Sequence, residues 1–209
     1  KRAVTLTAHT IAPPGTIGEP IDFVVNSDPA TGAAQTAGNA SLAALGAIGA
    51  RGGVVPVTST ITRPADTTAY AAGDAWANST SAPTAGGGTL ADVVAFSGGS
   101  AELTHLSIVS SAAPATPLQG EIWLFDTAPT AINDNAAFTV SDAEMLNCIA
   151  QIPFALSSIG ANSSATILLG LGIKTIGSAN LRYLIRVANV YTPASGETLS
   201  VRAFFRGLN

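Results

Sequence analysis

From Val54 onward the sequence is a succession of short runs that alternate with period two, and this pattern limits the fold more than any other feature. Val55, Val57, Ser59 and Ile61 alternate with Pro56, Thr58, Thr60 and Thr62. Alternate side chains of a strand point to opposite faces, so such a run suits a strand with one covered side, and Pro56 places it at an edge or a strand start. Further strands are expected over residues 75–78, 90–96, 102–110, 121–125, 137–140, 149–154, 166–171, 181–190 and 198–206, separated by Gly, Pro, Asn and Ser. Ser141-Asp-Ala-Glu144 has the form of a helix start and predicts a short helix through Cys148. Many short strands and few helices specify an all-β fold, an antiparallel β-sandwich of jelly-roll type.

The run at residues 121–125 is apolar on both sides of its alternation, Trp123 and Phe125 against Ile122 and Leu124, which predicts a strand covered on both faces with Trp123 in the core. It leads into a shaped corner. Pro129 fixes its own φ, Asn133, Asp134 and Asn135 supply turn-forming side chains, and Phe138 and Val140 are expected to return the chain to the core.

Residues 1–53 read differently, as an extended amino-terminal arm ahead of a sandwich domain at 54–209. Residues 4–11 and 21–25 resemble short strands, and Leu42, Leu45 and Ile48 recur at helical spacing. The rest of this segment is mostly Ala, Gly, Ser, Thr, Asn and Gln, which bury little area, so a neighbouring subunit or the chain's own domain must hold it if it is ordered. Leu42, Leu45 and Ile48 are therefore candidate interface residues.

Charged residues make up 11% of the 209 residues, against roughly 25% in average globular chains, and the formal net charge is −4. Few charges keep such a surface apart from its neighbours, which suits a chain packed against other chains and equally a secreted protein of low charge. The acidic excess argues against nucleic acid, which requires a basic face. No apolar run is long enough for a membrane span, and no secretory signal follows Lys1-Arg2. The alternation in the last two strands predicts that Arg182, Arg186, Arg202 and Arg206 share one outer face, either a contact for an acidic neighbour or a solvated face with local ion pairs.

No reaction chemistry stands out. The histidines are His9 and His105, neither within a recognisable Ser-His-Asp pattern. Gly86-Gly-Gly-Thr89 lacks the lysine of a phosphate loop and reads as a flexible turn. Asn133 to Asn135, with Asp126 and Asp142, match no standard calcium loop. Cys148 is a lone thiol expected to be a small buried residue. Trp76 and Tyr191 are candidate contacts of a sugar groove. The expectation is a protein without catalytic residues, metal or cofactor.

Three segments carry a resemblance. Ile61-Thr-Arg-Pro-Ala-Asp-Thr-Thr-Ala-Tyr-Ala-Ala-Gly-Asp74 strongly resembles a segment of virion structural proteins of tailed bacteriophages. Trp123-Leu-Phe-Asp-Thr-Ala-Pro-Thr-Ala-Ile-Asn-Asp-Asn-Ala-Ala-Phe138 is similar to their strand-and-corner segment, and Val190-Tyr-Thr-Pro-Ala-Ser-Gly-Glu197 to the loop before their final strand. The resemblance covers residues 55–209. It implies a β-sandwich component of the particle, on the head or on the tail. With the weakly charged surface, the expectation is a head decoration or cement protein on the capsid surface that contacts the major capsid protein or copies of itself, with a trimer suited to three-fold positions of the shell. The alternative it leaves open is a tail fibre or baseplate module that recognises a cell-surface glycan.

Overall fold

The structure is a computed structural model, and it describes residues 5–8, 21–24, 54–94, 99–174 and 179–208. The chain divides into two compact units, Lys1–Ala47 and Ile48–Asn209. In the first, β1 (Thr5–Ala8) pairs antiparallel with β2 (Ile21–Val24). The expected helix carrying Leu42, Leu45 and Ile48 lies outside the described residues.

The second unit is an antiparallel sandwich. One sheet has the order β3 (Val54–Thr62), β12 (Thr198–Leu208), β6 (Ser100–Ser110), β10 (Ser163–Lys174), β9 (Ser157–Ser158). The other has the order β4 (Ala75–Trp76), β11 (Leu181–Val187), β7 (Gln119–Phe125), β8 (Cys148–Ala155), with β5 (Gly88–Leu90) also paired to β11. The pairs are nested. β3 joins β12, β4 joins β11, β6 joins β10 and β7 joins β8, so this unit is one long hairpin rolled into two sheets, which is the jelly-roll arrangement.

Alternation decides which residues meet between the sheets. Leu103, Leu106 and Ile108 of β6, Ile122 and Leu124 of β7, Tyr183 and Ile185 of β11, and Val201 and Ala203 of β12 are all buried. Each fully buried aliphatic side chain of this kind contributes about 1.5–3 kcal/mol.

Five expectations need correction. Residues 137–140 do not form a strand: Ala137 makes an isolated bridge to Asp74, and Phe138 N–H bonds Gly73 C=O, so the corner claims this backbone. Phe138 stays half-buried on an outer face, where its ring meets Trp123 edge-on at 4.9 Å. Trp123 is thus outside the core, because β7 turns Ile122 and Leu124 inward and leaves Glu121 and Trp123 outward. The strand expected from residue 90 instead ends there, and Asp92 at φ 52 turns the chain. The helix α1 (Asp142–Met145) is one turn, started by a complete Ser141–Glu144 capping box and cut short by β8 at Cys148.

The glycines at 86–88 do more than bend a loop. A Cβ on Gly88 would sit 2.1 Å from the Tyr183 ring, and one on Gly87, at φ 69, would sit 2.4 Å from the Tyr183 carbonyl. This segment lies flat on β11, and only hydrogen fits beneath it.

Candidate functional site

The connections between strands meet in two buried polar clasps. Arg63, directly after β3, is 2% exposed although it carries a full charge. Its Nη2 donates to Asp66 Oδ1 at 2.9 Å and lies 3.3 Å from Asp134 Oδ2, its Nε donates to Tyr70 Oη at 3.1 Å, and its Nη1 donates to the Asp66 carbonyl. Asp134 Oδ1 also accepts from Tyr70 Oη at 2.6 Å and from Ala77 N–H at 2.9 Å. A buried ion pair is tolerated only when its remaining hydrogen-bonding capacity is satisfied in this way. Burial pushes the Asp134 carboxyl up, against the pull of the Ala77 and Tyr70 hydrogen bonds and of the Arg63 charge. Burial, reinforced by Asp134, raises the Tyr70 hydroxyl far above its ordinary range, so it donates as a neutral phenol.

The second clasp is built on Glu197, 1% exposed, just before β12. Its carboxylate accepts from Tyr191 Oη at 2.7 and 2.9 Å, from Ala194 N–H at 2.9 Å and from the Ser110 hydroxyl. The clasps touch through the backbone, where Arg63 N–H bonds Glu197 C=O at 3.0 Å and Tyr70 N–H bonds Tyr191 C=O at 2.8 Å. Trp76 stacks on Tyr70 at 5.4 Å and lies 6.1 Å from Tyr191.

The sequence pattern did not reveal these clasps. Arg63, Asp66, Tyr70, Asp134, Tyr191 and Glu197 all lie in the three segments that carried the family resemblance, which was the available signal. Tyr191 and Trp76, named as glycan contacts, are 1% and 2% exposed and form the aromatic floor of the clasps. They present almost no face to a sugar.

The four strand arginines divide into two pairs, because β11 and β12 belong to different sheets. Arg182 and Arg186 lie on one outer face, where Arg182 donates to Thr89 Oγ1 and Arg186 pairs with Glu121 at 3.2 Å. Arg202 and Arg206 lie on the other. Arg206 pairs with Glu102 at 3.0 Å, whereas the Arg202 guanidinium sits 5.0 Å from the Phe204 ring centroid. His105, also on this face, stacks on Phe204 at 3.7 Å and contacts Thr104 Oγ1 at 3.3 Å. His9 lies outside the described residues.

Between β3, the segment from β4 to β5 and the corner at Ala131 and Ile132 runs a cleft of about 440 Å³, with Ser59, Asn78, Thr84, Thr89 and Tyr183 among its lining residues. Tyr183 Oη donates to Ser59 Oγ at 3.0 Å, and burial pushes its hydroxyl up to about 12. The lining is uncharged. Cys148 is half-buried with its Sγ 3.6 Å from Ala150 C=O, and burial pushes its thiol up. Among the described residues no group of three or more His, Cys, Asp and Glu is placed to hold a metal ion, and no helix is long and apolar enough to cross a membrane.

No family model and no curated protein matches this sequence. Solved structures similar to it include a chain of the cyanophage Pam1 capsid asymmetric unit, at 16% identity, 75% of this chain, 86% of the other and a TM-score of 0.37. Desmodium yellow mottle tymovirus is similar at 16% identity, over 74% and 87%, with a TM-score of 0.26. The KBV activated particle at acidic pH follows at 12% identity, over 74% and 70%, with a TM-score of 0.24.

Proposed function

We propose that this chain is a structural, non-enzymatic component of a virion, most specifically a decoration protein that reinforces the head by adding contacts between capsid subunits. The observation that carries this reading is where the polar chemistry goes. The most buried charged groups, Arg63, Asp134 and Glu197, are occupied in holding loops to strands, and they belong to the segments that resemble virion structural proteins. What the sandwich presents outward is a pair of weakly charged sheet faces. Such faces suit a role that works through buried area and complementarity. Self-association into a trimer would fit three-fold positions of an icosahedral shell, and sedimentation measures it directly.

The test adds purified protein to undecorated heads and, separately, to host cells, and scores heated heads for genome release. Saturable binding to heads that raises the release temperature is the expected result. Binding to cells without binding to heads would overturn the decoration role in favour of a tail module.

A further inference from the structure

The outer face of the β3–β12–β6–β10 sheet carries one row unlike the rest. Pro56 of β3 is directly opposite Phe204 of β12, Phe204 is opposite His105 of β6, and His105 is opposite Leu168 of β10. All four lie on the outward side. Around them the face is mostly hydroxyl-bearing, with Thr58, Thr60, Ser107, Thr166 and Ser200. At strand spacings of about 4.8 Å the row crosses the sheet for about 14 Å, and Leu168, at its end, is 84% exposed.

The backbone is shaped to present this row. The β6–β12 register slips between Phe204 and Phe205, and the β6–β10 register slips between Leu168 and Leu171, so both irregularities fall at the level of Thr104. Thr104 Oγ1 donates to Phe204 C=O at 2.9 Å and gives that carbonyl a partner at the irregularity. Bulges re-aim side chains and bend strands, and here two of them coincide under one aromatic stack. Beside the stack stands Arg202, whose contact is with the Phe204 ring, in contrast to Arg182, Arg186 and Arg206, which have oxygen partners.

We infer that this row is a docking site for another protein subunit of the particle, one that lays an apolar side chain along Phe204 and Leu168 and brings a carboxylate to Arg202. The inference rests on the structural role proposed above and specifies the face through which it acts. Charge complementarity selects the occupant: an arginine held against an aromatic ring retains its donors for a carboxylate, and aromatic and arginine side chains dominate the energetic centres of protein interfaces.

The experiment uses the full chain and particles lacking it. Arg202→Glu and Leu168→Ser change exposed side chains, and Arg186→Glu, on the opposite outer face, is the control. Arg202→Glu is expected to weaken attachment by about tenfold or more and Leu168→Ser by severalfold, while Arg186→Glu binds as the parent does. A photo-crosslinking residue at position 168 is expected to join the chain to a different particle protein. If the parent attaches and both face variants attach equally well, the docking row falls and the structural role stands. A crosslink only to a second copy overturns the choice of occupant, and failure of the parent to attach removes both readings together.

Discussion

Arg63 and Arg202 are the same side chain put to opposite uses. Arg63 follows β3 into a loop, is buried and meets two carboxylates and a phenol. Arg202 stands on β12, on the exposed face of the same sheet, and leans on one ring. In the clasp the guanidinium fixes the fold, because a buried charge without its partners is costly, and every partner it holds is a loop brought into place. On the face it contributes little to stability and stays available. The contrast separates what this protein needs to be folded from what it offers to a neighbour.

The largest effect is expected where the contrast is sharpest. Arg63→Ala leaves Asp134 buried without its cation and should lower stability by about 3–5 kcal/mol in urea unfolding; Arg63→Lys should recover only part of this, because one ammonium cannot replace the guanidinium fork. A loss below about 1 kcal/mol, the range of surface pairs, would erase the distinction between the two regions. Gly88→Ala tests close packing without charge, and the clash with Tyr183 should cost about 1–3 kcal/mol.

A smaller effect belongs to the exposed capping box. Hydrogen bonds from Thr130 and Ser141 hold the Glu144 carboxyl down, to about 2 from an ordinary 4.5. A depressed folded-state value means that this contribution is present above the ordinary value and is lost as pH falls through about 2. Protection of the Thr130 amide, which donates to Glu144 Oε1 at 2.5 Å, measured against its intrinsic exchange rate at each pH, should fall over that window, and Glu144→Gln should remove this change in protection. Because Glu144 is well solvated, global stability should hardly follow. The smallest effect is Glu102→Gln, which breaks the surface pair with Arg206 and should change stability by about 0.5 kcal/mol or less. A larger loss would mean that the outer face is itself part of what holds the fold.

The long strands were legible because alternation repeats often enough along β3, β6, β11 and β12 to fix both the element and its buried side. β4 fell within the strand expected at 75–78, although its two paired residues carry no period of their own, whereas β5 was missed, since the expected strand began where it ends; both pair with β11. The clasps escaped for another reason. Arg63, Asp134 and Glu197 sit among Pro, Gly, Asp and Asn, where polar residues read as turn formers, and Arg63 and Asp134 are 71 residues apart. Alternation put Arg182 with Arg186 and Arg202 with Arg206 correctly, but consecutive strands of a jelly roll change sheets, so joining the two pairs on one face was a step the pattern did not license.

The pairing of β3 with β12 has a mechanical consequence. Val54 is opposite Arg206 at one end of this antiparallel pair, and Thr62 is opposite Thr198 at the other, next to Arg63 and Glu197. Force applied across Val54 and Arg206 therefore strains the rungs one after another, as in a zipper, and does not shear them together. Peeling would proceed at low force along the strand and stop at the Arg63 to Glu197 contact, where the next step must drag a paired charge out of the interior. The sandwich is thus compliant at one end and locked at the other, and a neighbour gripping the sheet near Val54 would pull on its weakest axis.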